Sequence, residues 1–257
     1  MTGHLLRVEL TYPGDPVRED EFNDWYSGSR IPDLLNSRGW LGATRFRLGN
    51  APIGNLSPYL TLYYIEAEDP EAAERALAEQ LAKKNSARKP EPKVSGEQHA
   101  GLVAVDTIAY YSKTLEVGQN ERYGSESPPA IMVTLTFPAR GTPVREMNDW
   151  YDAHVGDIIT TSGFSGVCRY ELAKMVTGHS SPYIAIYELE TEDVDLVARS
   201  LDDNRDRWLA GDTSSQYYDN SGPMPNTVNG ERWIGVDGFA YYLLVDSFGS
   251  KPDSGDS

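Results

Sequence analysis

The segment NDWYDAHVGDIIT, residues 148–160, places three side chains with acid/base or hydrogen-bonding chemistry close together. His154 titrates near neutral pH, so an imidazole at this position could act as a general base or a general acid. Asp157 could hydrogen-bond the ring and orient it, and the phenol of Tyr151 could donate to a developing oxyanion. We therefore predict His154, Asp157 and Tyr151 as catalytic residues. The alternative is a buried histidine that donates to a backbone carbonyl.

A second group of side chains could form a substrate pocket beside these residues. Arginine binds carboxylates through two parallel hydrogen bonds, and aromatic rings supply flat apolar walls. The predicted substrate-binding residues are Trp150, Ile158, Arg169, Tyr183, Tyr241 and Tyr110. Core packing is the alternative for the tyrosines, and pairing with one of the many acidic residues is the alternative for the arginine.

Signatures of metal and cofactor binding are missing from the sequence. Four histidines are scattered along the chain without the spacing of a zinc site, and Cys168 is the single cysteine. No glycine-rich loop of the kind that holds nucleotide phosphates occurs, and neither does a G-x-S-x-G nucleophile elbow. We predict an enzyme that uses no metal and no cofactor.

The candidate residues lie in the second of two copies of one sequence unit. NDWY occurs at 23–26 and 148–151, SPY at 57–59 and 181–183, and VD-x-x-AYY at 105–111 and 236–242. The order is constant and the spacing nearly so, which indicates a tandem duplication. An ungapped comparison sets Ser29 opposite His154. The first copy is therefore predicted to carry a degenerate site.

Each copy has to supply the elements that hold its site, and its pattern predicts strand, helix, strand, strand, helix, strand. The helix that carries His154 is predicted over about 142–162. Its predicted sheet-facing residues are Met147, Trp150, Tyr151, His154 and Ile158. Residues 211–230 are rich in turn formers and are predicted to form a long loop, which in a compact domain is either functional or disordered.

The predicted organisation follows the two copies. A first repeat spans 1–115, a linker 116–129, a second repeat 130–248, and a mobile tail 249–257. A βαββαβ unit makes a four-stranded antiparallel sheet with both helices on one face. Its other face needs a cover, which a second copy of the unit can supply.

The second copy resembles EthD-like members of the dimeric α+β barrel superfamily. The matching residues are Asn148, Trp150, Tyr151, Asp152 and His154, with one residue fewer before the histidine and Gly156 in place of the usual proline. The first copy keeps the Pro-Asp-Leu-Leu part of the pattern at 32–35 but has Ser27 where the second copy has Asp152. The resemblance covers each half of the chain once.

This resemblance implies a fold and a class of chemistry. The implied fold class is α+β, with two tandem ferredoxin-like βαββαβ repeats whose antiparallel sheets pack into an intramolecular α+β barrel. Relatives catalyse isomerisation, cyclisation, dehydration, decarboxylation or cofactor-free oxygenation, often on aromatic or polyketide-like compounds. We predict a lyase- or isomerase-type enzyme that performs acid/base chemistry on such a small molecule. The alternatives are a cofactor-free or haem-dependent monooxygenase and a non-catalytic protein that binds a small aromatic ligand.

The charge of the chain limits its partners. A net charge of −16 at pH 7 repels nucleic-acid phosphates and anionic lipids, so we expect neither nucleic acid nor a membrane as partner. The sequence has no secretory-signal pattern and no apolar run long enough to span a membrane, which makes the cytoplasm the expected location. The resemblance leaves a homodimer open, because relatives often dimerise through their sheets.

Overall fold

The computed structural model describes residues 3–87, 101–118, 126–212 and 214–249, which contain eight strands and five α-helices. The strands are β1 (Gly3–Pro13), β2 (Trp40–Ile53), β3 (Tyr59–Ala67), β4 (Val103–Gly118), β5 (Ala130–Pro138), β6 (Phe164–Thr177), β7 (Tyr183–Leu189) and β8 (Ile234–Gly249). The helices are α1 (Glu19–Trp25), α2 (Ile31–Leu35), α3 (Pro70–Ala87), α4 (Val144–Ile158) and α5 (Val194–Leu209). No helix in these ranges combines the length and the apolar character needed to cross a membrane.

The strands form a closed antiparallel barrel in the order β1-β3-β2-β8-β5-β7-β6-β4. Each half keeps the strand order of a ferredoxin-like sheet, β4-β1-β3-β2 in the first and β8-β5-β7-β6 in the second. The halves join edge to edge where β2 pairs with β8 and β4 pairs with β6. Closure leaves no free sheet edge, and it confirms the predicted α+β class with two repeats in one barrel.

The strand ends differ slightly from the predicted organisation. Strand β4 continues to Gly118, into the segment 116–129 that was predicted as a linker. Strand β8 ends at Gly249, the first residue of the predicted tail, because it pairs there with Gly42 of β2. The rest of that tail, 250–257, lies outside the described residues.

The barrel interior is a packed apolar core to which both halves contribute. Strand β7 is buried along its whole length, because one face lines the barrel and the other packs against helices. Tyr111 donates to the carbonyl of Ser181 at 3.0 Å, and Tyr242 donates to the carbonyl of Ser57 at 3.0 Å. Each tyrosine thus satisfies its hydroxyl in the opposite repeat, which ties the two sheets together.

The first helical segment contains one residue more than the second. Residues Tyr26–Arg30 form a π-helical turn between α1 and α2, whereas α4 is continuous. At the first residue of the turn, buried Tyr26 corresponds to Tyr151; after the turn, buried Ile31 and Leu34 correspond to Val155 and Ile158. His154 therefore corresponds to Arg30, which directly precedes Ile31. The ungapped comparison with Ser29 was wrong by this one residue.

Candidate functional site

The imidazole of His154 is enclosed by aromatic rings. Trp150, one helical turn earlier, stacks on it with ring centroids 4.7 Å apart. Tyr218 stacks at 4.9 Å, and Tyr217 approaches edge-on at 5.6 Å. Burial lowers the pKa of His154 to about 4, although Asp157 acts in the opposite direction. The ring is therefore neutral at physiological pH, and it is a weak base as long as it stays buried.

The two tyrosines belong to residues 214–230, which we call the capping segment. Buried Asp157 anchors this segment, because its carboxylate accepts from the backbone N–H groups of Asn220 and Ser221, both at 2.9 Å. The side-chain amide of Asn220 donates to the same carboxylate at 2.6 Å. Trp150 Nε1 adds a bond to the carbonyl of Gly222 at 3.1 Å. Helix α4 thus holds the segment over His154.

The structure changes the role expected for Asp157 and the surroundings expected for His154. Asp157 bonds the capping segment, and Ser221 stands between it and the imidazole, with Oγ 3.5 Å from His154 Nδ1. The aromatic rings that contact the imidazole belong to α4 itself and to the capping segment. The helical pattern had instead predicted that the imidazole faces the sheet. The capping segment folds back over α4, and the periodicity of a helix contains no information about the path of a loop.

A second polar group lies on the sheet side of α4. Arg169 on β6 is buried; its Nη1 donates to Asp152 Oδ1 at 2.6 Å and its Nη2 donates to Asn148. The guanidinium carbon lies 4.4 Å from the ring centroid of Tyr151 and 4.9 Å from that of Tyr183. Arg169 thus donates its hydrogen bonds to side chains of α4. One of them is the carboxylate of Asp152, in line with the alternative that this arginine pairs with an acidic residue of the protein.

The remaining predicted site residues pack in the core. Tyr151 is buried, which raises the pKa of its phenol, and its hydroxyl shares a 2.9 Å hydrogen bond with Thr134. Ile158 and Tyr241 lie in the same apolar cluster between α4 and the sheet. Tyr110 belongs to the other repeat, where its hydroxyl donates to Glu74 at 2.8 Å. The structure therefore brings Trp150 next to His154 and places Tyr110 in a separate cluster.

Sequence reasoning missed the capping residues that contact the imidazole. Tyr217, Tyr218 and Ser221 lie in the segment that the sequence marked as a long loop. Trp208 on α5 packs edge-on against Tyr218 at 5.0 Å and completes the aromatic group. The one available signal was the adjacent Tyr-Tyr pair, which is unusual in a segment rich in turn formers.

A cleft of about 330 Å³ opens beside this site, between the end of α4 and α5. Its walls are hydroxyl, amide and charged groups, among them Thr161, Asn204 and Gln216, and they do not include His154. The aromatic side chains are packed against one another instead. Within the described ranges, no group of three or more His, Cys, Asp or Glu side chains is placed to hold a metal ion.

The lowered pKa of His154 predicts a pH-dependent stability. In the folded protein the pKa of His154 is about 4, below its ordinary value of 6.5. The stability contributed by the neutral, buried imidazole is therefore fully present above pH 6.5 and is lost as the pH falls toward 4. We expect wild type to lose about 2–3 kcal/mol relative to His154→Gln between pH 7 and pH 4. Urea unfolding of both proteins across this range measures the difference. Parallel stability curves would show that the ring is solvated.

Comparisons with known proteins reveal what the fold is shared with. No family model matches the chain, and a search of curated proteins gives no match. An anthrone oxidase-like protein of known structure aligns over 99% of this chain and 96% of its own, with a TM-score of 0.54 and 13% identity. The two proteins share a fold. At this identity the likeness carries no statement about the reaction.

Two other solved structures align over similar lengths with lower scores. A heme-binding protein from Thermus thermophilus has a TM-score of 0.49 and 9% identity over 96% of this chain and 92% of its own. A chlorite dismutase variant from Candidatus Nitrospira defluvii, in complex with cyanide, has a TM-score of 0.45 and 10% identity over 95% and 92%.

Proposed function

We propose that this chain is an EthD-like enzyme that performs acid/base chemistry without a cofactor on an aromatic or polyketide-like small molecule. His154 is the proton acceptor in this proposal. The reaction class is of the lyase or isomerase type, and the substrate is the expected partner. We propose the cytoplasm as its location and a homodimer as a possible assembly.

The enclosed imidazole is the observation that supports this proposal. A neutral ring can accept a proton, and Trp150 and Tyr218 stack on it at 4.7 and 4.9 Å, which is the spacing at which flat rings bind each other. In the proposal a planar substrate takes the place of Tyr218 against the imidazole. Displacing the capping segment would also rehydrate His154 and bring its pKa back toward neutrality, where it is a more effective base.

A cofactor-free oxygenation is the second candidate, because the protein that shares the fold is described as anthrone oxidase-like. Both candidates begin with the same step, removal of a proton from a carbon that an aromatic ketone activates. In the oxygenase the resulting carbanion is oxidised by O₂, whereas in an isomerase it is reprotonated elsewhere. Oxygen consumption therefore distinguishes them.

The haem-dependent alternative finds no suitable histidine ligand in the described part of the chain. Of the three histidines in the described part of the chain, His4 and His179 are exposed on the surface. The third, His154, is stacked between two rings and lies within 3.5 Å of a hydroxyl. None of these three presents an unencumbered imidazole to an apolar cavity, so the described histidines do not support histidine ligation of a haem.

The test is turnover of a panel of hydroxylated aromatic ketones, including an anthrone, by His154→Ala. We expect a loss of about 10²–10⁴-fold in kcat, because the general base is removed. Arg30→Ala, at the corresponding position of the first repeat, is the matched control and should remain within about twofold of wild type. Product analysis by chromatography, with O₂ uptake followed in parallel, provides the measurement. Unchanged turnover in His154→Ala would refute the proposal, and tight binding of a ligand without any conversion would favour a binding protein.

A further inference from the structure

The first repeat contains a buried guanidinium, Arg45, at the position that corresponds to Arg169. Arg45 lies on β2 with none of its surface exposed. Its Nη2 donates to Asn23 Oδ1 at 2.7 Å. Its guanidinium carbon lies 4.5 to 5.0 Å from the ring centroids of Tyr59, Tyr26 and Phe22. Asparagine and aromatic partners thus recur in both repeats, and they hold each arginine in the same way.

The two repeats differ in what faces Nη1 of this arginine. In the second repeat the carboxylate of Asp152 accepts from Arg169 Nη1 at 2.6 Å. The corresponding residue in the first repeat is Ser27, whose Oγ lies 3.4 Å from Arg45 Nη1. The buried Nε lacks a hydrogen-bond partner within the described residues in both arginines, so the two repeats differ at Nη1 and not at Nε. The first repeat therefore lacks the anion that neutralises its counterpart.

The charged groups around Arg45 do not replace that anion. Asp246, across the β2–β8 pair, favours the protonated guanidinium, yet burial outweighs it and lowers the pKa of Arg45. Glu19 accepts from the hydroxyl of Tyr59 at 2.6 Å. No carboxylate of the described chain lies within the 4.0 Å of an ion pair with Arg45. Arg45 has hydrogen-bonding and aromatic partners but no anionic one, and a buried cation without a counter-charge is costly, so an anion at this point would be bound favourably.

We propose that Arg45 and Ser27 form a binding site for a small carboxylate, which occupies the place that the Asp152 carboxylate takes in the second repeat. The ligand accepts from Arg45 Nη1, and the Ser27 hydroxyl donates a second hydrogen bond. Ser27 is partly exposed whereas Arg45 has no exposed surface, so the ligand enters from the solvent side of the helix by displacing the Ser27 hydroxyl from Arg45 Nη1. This site is separate from His154 and does not depend on the proposed reaction.

The π-helical turn supports a role beyond packing. It begins at Tyr26 and includes Ser27, so the extra residue lies beside the arginine rather than elsewhere along the helix. Single π-turns within α-helices occur frequently at functional sites. The first repeat, which the sequence comparison treated as degenerate, has lost one acidic side chain and retained everything else that holds the arginine.

Titration with sodium acetate at constant ionic strength tests the site, with the guanidinium N–H signals of ¹⁵N-labelled protein as the readout. The Arg45 signals, assigned from Arg45→Lys, should shift and saturate, and those of Arg169 should not. Ser27→Asp introduces the carboxylate that the second repeat already has, so acetate affinity at Arg45 should fall by roughly tenfold or more. Asp152→Ser makes the reciprocal change and should render the Arg169 signals saturable.

The variants decide the proposal independently of one another. Saturation at Arg45 that is lost in Ser27→Asp, or gained at Arg169 in Asp152→Ser, supports it. A wild-type Arg45 signal that shifts without saturating overturns it, and so does a folded Ser27→Asp protein that binds acetate as wild type does. Circular dichroism of each variant establishes that it is folded before titration, and a failure of one variant to fold leaves the other to decide.

Discussion

Replacing Asp157 with asparagine is expected to lower the free energy of unfolding by about 3 kcal/mol and to release the capping segment. The carboxylate is fully buried and accepts three N–H groups from Asn220 and Ser221. An asparagine amide would present its own N–H group to at least one of these donors, so a hydrogen bond would become a repulsive contact. An acidic residue in the last turn of α4 is also opposed by the helix dipole, and these donors compensate for that effect.

Asp33 is the matched control, because it takes the corresponding position after the π-helical turn. Its side chain is 32% exposed and pairs with Lys84. We expect Asp33→Asn to cost less than about 1 kcal/mol, as for other exposed pairs. Urea unfolding gives both values, and hydrogen exchange at the amides of 214–230 reports release of the segment. Equal costs for the two substitutions, or unchanged protection of those amides in Asp157→Asn, would contradict the anchoring role of Asp157.

Much of the fold could be predicted from the sequence, because the duplication repeats each signal. Alternating and continuous apolar strands, SPY turns and the NDWY helix occur twice, so each copy supports the other. The seams of the barrel could not be predicted in detail, since pairing of β2 with β8 joins residues about 200 positions apart. The π-helical turn could not be predicted either. The extra residue of the first copy lies between NDWY and Ile31-Pro32 and leaves both motifs intact, although it changes which of the following residues face the core.

Only the part of the candidate site that lies on helix α4 could be predicted from the sequence. Helical spacing correctly placed Met147, Trp150, Tyr151 and Ile158 among the buried residues of α4. The contacts of His154 depend on Tyr217 and Tyr218, which are more than 60 residues away in a segment without periodicity. The role of Asp157 depends on the same segment. Side-chain partners that come from an irregular loop leave no periodic pattern in the sequence.

Replacing Arg7 with methionine is expected to lower the free energy of unfolding by about 3–5 kcal/mol, the cost of leaving a buried charge without its partner. Arg7 and Glu9 on β1 are 3% and 2% exposed and are joined by two hydrogen bonds of 2.9 and 2.7 Å. Glu9 also accepts from Tyr26 at 2.5 Å, whereas Arg30 stays at 3.8 Å. Without Arg7, these two groups cannot compensate for the desolvation of the carboxylate.

The second repeat supplies the control for this substitution. Strand pairing sets Arg7 opposite Tyr63 and Tyr110, and Met132 opposite Tyr187 and Tyr241, so Arg7 corresponds to Met132 and Glu9 to Thr134. The double variant Arg7→Met/Glu9→Thr gives the first repeat the apolar and hydroxyl pair of the second. Apolar replacement of a buried ion pair is often neutral, and Glu74, the other carboxylate that pairs with Arg7, is 33% exposed and can be hydrated, so the double variant should recover most of the stability that Arg7→Met loses. Chemical unfolding of the single and double variants at pH 7 makes the comparison.

The pH dependence separates a lost charge partner from lost packing. Burial alone would raise the pKa of Glu9, but Arg7, Arg30 and Tyr26 together hold it below its ordinary value of 4.5. In wild type, Glu9 therefore stabilises the fold above pH 4.5, and this contribution is lost as the pH falls through the lowered folded value. In Arg7→Met the desolvated carboxyl instead has a raised pKa, so protonation relieves the penalty as the pH falls. The stability difference between wild type and Arg7→Met should accordingly narrow from pH 7 toward pH 4, whereas a defect of packing would leave it constant.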